Sequence, residues 1–360
     1  MTGERLAMSD ERANDERGAM SGPAAHVFVI AEAGVNHNGS LSTALELVDA
    51  AAAAGADAVK FQSFRARSLA TAAAPRAAYQ RETTGSSAGQ LAMLAALELS
   101  ADDHRRLADH CRERGIEFLS APFDAESVEL LAMLGLRRLK VPSGQLLDLP
   151  FLRRVAALGL PLIVSTGMAT LSEVGAALAA LEAAGCPRTR VTVLHCSTEY
   201  PTPLADVNLT AMVTMRETFG VAVGYSDHTE GIVVAVAAAA LGARVIEKHL
   251  TLDRGQQGPD HRASLEPGAF AERVQGVRAV GVALGDGVKR PTAAELDNAA
   301  AARTSIVAAR AIAPGETLTA DNLTTKRPGT GLSPLRWDDV VGRVASRAYA
   351  PDDPIVEPLP

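Results

Sequence analysis

Cysteine is scarce in this chain. Its 360 residues include only three, Cys111, Cys186 and Cys196. The number is odd and the spacing fits neither a metal knuckle nor a CxxC redox pair, so a disulfide framework and a zinc module are both excluded. Three reduced thiols, buried as small apolar side chains in a cytoplasmic setting, are expected. Positive charge is also in short supply: 35 lysines and arginines against 42 aspartates and glutamates give a net charge of −7. That balance argues against a nucleic-acid or anionic-membrane partner. An anionic substrate would need a local cationic pocket. Long apolar runs are missing too. The alanine-rich stretches are broken by charge or glycine, so none reads as a membrane span. Residues 1–24 are polar and charged, without the apolar core of a signal peptide, and are expected to form a disordered tail. No GxGxxG follows the first strand candidate, which removes the signature of an open dinucleotide-binding sheet.

What remains is an ordinary globular composition, 47% hydrophobic and 21% charged. Short β-branched runs alternate with longer amphipathic ones. The strand candidates are His26–Gly34, Ala56–Phe64, Ile116–Phe123, Arg138–Gly144, Leu160–Met168, Val191–Ser197, Val221–His228 and Ala243–Leu252. Helical patterns between them include Leu41–Ala54, Ser127–Leu134, Leu171–Ala184 and Ile232–Leu241, several closed by a glycine suited to the left-handed C-terminal position. Eight strands each followed by a helix predict an α/β fold, a (β/α)8 TIM barrel over residues 25–285. Residues 65–90 are a long insertion after the second strand, of the kind that covers an active-site face. Residues 286–302 read as a polar linker. From 303 to 360 short strands and turns predict a second, small β-rich domain, marginal alone and expected to pack on the barrel or on another subunit.

In such barrels the chemistry sits at the C-terminal strand ends. Those ends carry Glu32, Lys60 with Gln62, Ser120, Lys140 with Ser143, Ser165 with Thr166, and His195 with Ser197 and Thr198. The last two carry Ser226, Asp227 and His228, then Glu247, Lys248 and His249. Two lysines among hydroxyls make a pocket for phosphate and carboxylate. Two histidines at neighbouring strand ends suit a divalent metal with open positions, which could act as a Lewis acid on a carbonyl. Glu32 is the best-placed carboxylate for acid–base work. Blander readings stand beside these. Each lysine also reads as a helix cap or a surface ion pair. Ser143-Gly144 and Thr166-Gly167 also read as plain turns, and Asn36–Gly39 as a loop entering a helix. His195 lies in an apolar run and reads as structural. Composition and spacing alone reach a metal-assisted barrel enzyme acting on a small anion, without naming the reaction.

The ordered motifs Ile30–Gly39 (IAEAGVNHNG), Val59–Gln62, Ser165–Met168, His195–Pro203 (HCSTEYPTP), Gly224–Thr229, Glu247–His249, Gly258–His261 and Ala263–Leu265 resemble the sialic acid (N-acetylneuraminate) synthase family, which includes legionaminic acid synthases. Ser305–Ala308 with Lys326-Arg327-Pro328-Gly329 resembles that family's C-terminal antifreeze-like (SAF) domain. The resemblance covers nearly everything after the first 25 residues. It implies condensation of phosphoenolpyruvate with an N-acylated hexosamine to a nine-carbon 2-keto acid plus phosphate, with C–O cleavage. It further implies a divalent metal, Mn²⁺ commonly and Mg²⁺ or Co²⁺ as alternatives, on His228 and His249. Lys60, Lys140, Ser143, Ser165 and Ser226 would bind phosphoenolpyruvate, with Thr198 in a weaker version of that role. Glu32 would manage protons, and Gln62, Tyr200 and Asp260 would contact sugar hydroxyls. Arg327 would reach into the barrel of a second subunit, giving a domain-swapped homodimer.

This chain departs from the family pattern at Gln145, where glutamate is usual, at Ala121, where threonine is frequent and Ser120 would have to compensate, and at Thr330, where asparagine is frequent. These departures leave the sugar open between N-acetylmannosamine and a 2,4-diacetamido-6-deoxy hexose. The first-strand motif favours both over the pseudaminate branch. Two rival readings are a Schiff-base pyruvate aldolase using Lys60 or Lys140, and a non-catalytic carbohydrate-binding protein.

Overall fold

The computed structural model describes residues 26–76, 80–81 and 89–356. The expected N-terminal tail and Tyr79 of the insertion lie outside these. Two compact units divide between Asp286 and Gly287.

The first unit is an eight-stranded, all-parallel barrel. Its strands are β1 (Phe28–Gly34), β2 (Ala58–Ser63), β3 (Glu117–Pro122), β4 (Leu139–Val141), β5 (Leu162–Ser165), β6 (Val191–Cys196), β7 (Ala222–Asp227) and β8 (Val245–His249). β1 pairs with both β2 and β8, which wraps the sheet round on itself, and β3 and β4 lie against each other at the seam. All eight predicted strands are present. β4 is the shortest, because Pro142 has no N–H to continue the ladder and Ser143–Gln145 turns instead into a 3-10 helix.

The helices that pack outside include α1 (Leu41–Ala53), α2 (Ala66–Leu69), α3 (Gln90–Leu97), α4 (Ala101–Arg114), α5 (Ala125–Met133), α6 (Leu149–Ala157), α7 (Leu171–Ala183), α8 (Thr210–Phe219), α9 (Val233–Ala240) and α10 (Pro267–Ala283). Apart from those of α2 and α3, their apolar stripes and the outward strand residues form one large buried cluster. α2 lies in the long insertion and α3 begins at its last residue. With Val35, Phe64 and Phe123 they make a separate apolar cluster.

Inside the barrel, the period of two sorts the strands into layers. Ile30, Ala58, Leu119, Ile163, Leu194 and Val245 fill the lower interior as a dry plug. Two residues further along each strand the side chains become Glu32, Lys60, Ala121, Ser165, Cys196 and Glu247. Gly224 on β7 belongs to the lower layer. A Cβ there would stand 2.3 Å from the Val245 carbonyl oxygen and 2.6 Å from Leu194, so only glycine fits.

The second unit has its own small core of Ile306, Ala308, Ile312, Leu318, Leu323, Val340, Ala345, Tyr349 and Ile355. β9 (Ser305–Ala308) and β10 (Leu323–Lys326) pair antiparallel within it. The segment expected as a linker holds a helix, α11 (Ala293–Ala302). Thr292 and Glu295 form a reciprocal capping box at its start, which stabilises a turn of backbone that composition alone reads as polar connection.

Candidate active site

Strand register assembles the site. Regular register from Ile30 on sets Glu32 opposite Lys60 on β2, with a bulge only beyond it at Ala33, while on its other side Glu32 lies opposite His249 on β8. Ser226 on β7 lies opposite Glu247 on β8. These residues open into a cavity of about 710 Å³ at the C-terminal end of the barrel. Twelve of the thirteen residues expected in the site line it: Glu32, Lys60, Gln62, Lys140, Ser143, Ser165, Thr198, Tyr200, Ser226, His228, His249 and Asp260. The thirteenth, Arg327, is an exposed residue of the second unit, just after β10.

The cavity floor is ionic. Lys60 Nζ lies 2.7 Å from Glu32 Oε2 and 3.8 Å from Glu247 Oε1. Lys140 Nζ lies 3.6 Å from the same Glu247 oxygen and donates to Ser165 Oγ at 2.6 Å. Ser226 Oγ donates to Glu247 Oε1 at 3.1 Å. Burial works against the Lys60 ammonium, but Glu247 and Glu32 outweigh it and hold its pKa above the ordinary lysine value. Burial lowers Lys140. Burial also pushes Glu247 up, yet Lys140 and Lys60 overcome it and keep this carboxylate ionised. Glu32 moves the other way: burial, with the charge of Glu247, raises it despite Lys60. Two carboxyls 3–4 Å from one lysine therefore have opposite tendencies. One is a fixed anion and the other a group that can carry a proton, the arrangement acid–base chemistry needs. Ser165 Oγ accepts from Lys140, so its hydroxyl keeps a proton for a ligand oxygen, while Ser143 Oγ accepts from the Gly167 N–H at 3.0 Å and shares a bond with Cys196 Sγ at 3.3 Å.

The imidazoles form a second group. The rings of His228 and His249 are 5.4 Å apart between centroids, and the Tyr200 ring lies 4.0 Å from that of His228, tilted by 35°. His228 Nδ1 donates to the Ser197 carbonyl, which leaves its Nε2 lone pair available. Burial lowers His228 to about 4, and burial with neighbouring His228 takes His249 well below the usual histidine value. Both rings are neutral at pH 7. His249 Nδ1 is buried without a hydrogen bond, 3.7 Å from Asp260 Oδ2. Burial and the charge of Glu32 raise Asp260 to about 7. Two neutral imidazoles, one oriented by a carbonyl and one with an unsatisfied nitrogen, fit a divalent cation that takes two protein nitrogens and leaves its other positions open. Among the described residues no cluster of three or more ligating groups completes a closed cage.

The other strand-end candidates face away from the cavity. Ser120 bonds the Phe61 carbonyl and Ser63, so it does not compensate for Ala121. Thr166 donates to Leu194 O, His195 Nε2 meets Val207 O at 2.8 Å, and Lys248 donates to Thr229 O. Asp227 is fully buried against Arg273 of α10, at 2.7 Å, and also accepts two bonds from Thr229. That cluster anchors the loop next to His228. Asn36 donates to Leu250 O and Ser264, and Ser264 to Asp260 O, so the first-strand turn supports the loop carrying Asp260. Gln145 lines the cavity and donates to Phe123 O at 2.6 Å. A carboxylate could not make that bond.

The NeuB family profile matches residues 47–289, and a SAF domain profile matches residues 303–358. The chain belongs to the NeuB family. The N,N'-diacetyllegionaminic acid synthase of Campylobacter jejuni is 47% identical over 330 residues, covering 92% of this chain and 99% of that protein. The N,N'-diacetyllegionaminic acid synthase of Legionella pneumophila is 44% identical over 317 residues, covering 88% and 89%. Among solved structures, N-acetylneuraminic acid (sialic acid) synthetase from Leptospira borgpetersenii, in complex with citrate, superposes with a TM-score of 0.67 at 33% identity, covering 77% of this chain and 92% of that one. As a NeuB-family member with relatives of this kind, the chain is an enzyme, and the non-catalytic reading is set aside. Within this NeuB barrel, the functional group to which sequence reasoning gave no role is Glu247, which joins both lysines. Its signal was the two-residue spacing to His249, which puts both side chains on the inner face. No helix among the described residues is long and apolar enough to cross a membrane.

Proposed function

We propose that this enzyme condenses phosphoenolpyruvate with the open-chain form of an N-acylated hexosamine, giving a nine-carbon 2-keto acid and inorganic phosphate. The observation that carries this reading is the pairing of Lys60 and Lys140 on Glu247 beside a protonatable Glu32, in one cavity with two neutral histidines. Carbon 3 of phosphoenolpyruvate forms a bond to the aldehyde carbon, whose oxygen takes up a proton. Water adds at carbon 2, and the bond from carbon 2 to the bridging oxygen breaks, so phosphate leaves with that oxygen. Lys60 and Lys140 supply positive charge to phosphate and carboxylate, and Ser143 and Ser165 supply directional donors, with Ser226 and Thr198 beside them. Glu32 holds and returns the proton at the aldehyde oxygen or at the attacking water. Gln62, Tyr200 and Asp260 contact sugar hydroxyls. His228 and His249 would hold a divalent cation, Mn²⁺ with Mg²⁺ or Co²⁺ as alternatives, which when bound supplies Lewis-acid polarisation of the aldehyde. Arg327 of a second subunit completes the sugar site in a domain-swapped homodimer, and the reaction takes place in the cytoplasm.

Phosphate release from phosphoenolpyruvate tests the reading. With Mn²⁺ and either N-acetylmannosamine or a 2,4-diacetamido-6-deoxy hexose, release should depend on the sugar and stop on addition of EDTA. His249→Ala should abolish it without lowering the melting temperature. Borohydride inactivation that requires substrate, with EDTA harmless, would instead favour a Schiff base on Lys140, the lysine lowered by burial.

A further inference from the structure

His228 and His249 stand just past the ladder that carries them. β7 and β8 pair through Tyr225, Ser226 and Asp227 against Ile246, Glu247 and Lys248, and the pairing stops at Asp227 and Lys248. Each histidine is one residue beyond that last pair. From there the backbones turn to different neighbours. The His228 carbonyl accepts from the Thr202 N–H at 3.0 Å, in the loop after β6, and the His249 carbonyl from the Leu265 N–H at 2.9 Å, in the segment before α10. What spans the gap lies on the outer side of the barrel. Asp227 and Lys248, the residues just before each histidine, both reach Thr229. Asp227 Oδ1 accepts from the Thr229 N–H at 2.8 Å and from Thr229 Oγ1 at 2.7 Å, and Lys248 Nζ donates to the Thr229 carbonyl. Arg273 of α10 backs the carboxylate, donating to Asp227 Oδ2 at 2.7 Å. All four residues are buried, none more than 1% exposed, and none lines the cavity.

We propose that Thr229 is a positioning residue: with Asp227 and Lys248 it clamps the ends of β7 and β8 and so fixes the separation of the His228 and His249 rings, and with it their affinity for a divalent cation. This rests on the reading of those two rings as metal ligands. Side chains alternate along a strand, so holding residues 227 and 248 on the outside fixes the direction in which 228 and 249 leave for the interior. Thr229 holds both at once, through its N–H and hydroxyl on one side and its carbonyl on the other. Two imidazole nitrogens share one cation only over a narrow range of separations. Groups that orient ligands without touching the metal commonly set its affinity by about tenfold to a hundredfold.

Binding of Mn²⁺ to the full-length enzyme without substrate, followed by loss of the free-ion electron paramagnetic resonance signal, tests this. Thr229→Val removes the hydroxyl bond and keeps the shape; its Kd for Mn²⁺ should rise about tenfold. Thr229→Ser keeps the hydroxyl and should bind close to the wild-type value. Lys248→Met cuts the second arm but leaves Asp227 its Arg273 partner, so the fold is retained, and Mn²⁺ should again weaken about tenfold. A merely structural role would lower the melting temperature and leave the Mn²⁺ affinity unmoved. Wild-type affinity in Thr229→Val or in Lys248→Met would overturn the proposal, as would Thr229→Ser binding as weakly as Thr229→Val. The metal reading would survive those results, because wild-type enzyme would still bind Mn²⁺ and His249→Ala would not. Wild-type enzyme that binds no Mn²⁺ would overturn both together.

Discussion

Glu247 is a single carboxylate shared by two buried ammonium groups and a serine hydroxyl. Replacing it by glutamine keeps the shape and removes the charge. Lys60 retains Glu32, but Lys140 is left with Ser165 alone. Breaking a buried pair by neutralising one partner costs about 3 kcal/mol or more. Glu247→Gln should therefore lower the melting temperature, and inorganic phosphate should raise it more in the variant than in the wild type. Thermal melts with and without phosphate check this; equal melting temperatures in plain buffer would show that the charge on Glu247 does not hold the lysines. The same scale marks where the sequence could be read and where it could not. Residue types at strand ends pointed to Glu32, Lys60, Lys140, His228 and His249. Each end, however, offers adjacent polar residues, and only register decides which faces inward. Ser120, Thr166, Asp227 and Lys248 went outward, each to a backbone carbonyl or a buried partner of its own.

Among the elements, β7 and β8 carry Ser226, Glu247 and His249, with His228 just past β7, and Gly224 sets their separation. Gly224→Ala would drive a methyl group into the Val245 backbone, which cannot swing aside as a side chain can. Overpacking of this kind costs about 3 kcal/mol. The variant should unfold at lower denaturant, and whatever folds should bind metal more weakly, because β8 holds His249; urea titration and metal content of the purified variant would show both. Wild-type values for each would mean that the strands have room to separate. Elements were the most legible scale. Eight apolar β-branched runs separated by capped helices admit few folds. The errors were local. Pro142 ended β4 early, and the capping box Thr292-Ala293-Ala294-Glu295 signalled a helix inside a stretch read for its composition alone.

For the whole molecule, the proposed exchange of Arg327 between subunits makes a prediction that no single-chain site makes. Arg327→Ala and His249→Ala should each be inactive or nearly so. Mixed and allowed to exchange subunits, they form dimers in which one site is damaged twice and the other is intact, which should restore about a quarter of the activity. Activity that stays at the sum of the two variants would place Arg327 and His249 in the same subunit's site. The least legible feature at this scale was the composite cavity wall. α2 lies in, and α3 directly follows, an insertion whose alanine-rich sequence shows no motif, and only their meeting with Val35 and Phe123 reveals an apolar face. The layered interior has one more consequence. Along β8, two messages are interleaved letter by letter: Val245, Glu247 and His249 are addressed to the barrel interior, Ile246 and Lys248 to the shell. Substitution alters one letter, but loss of a single residue shifts the reading frame and delivers each message to the wrong reader. Changes of length are therefore tolerable in the connections between strands, while the strands themselves are held to a fixed count.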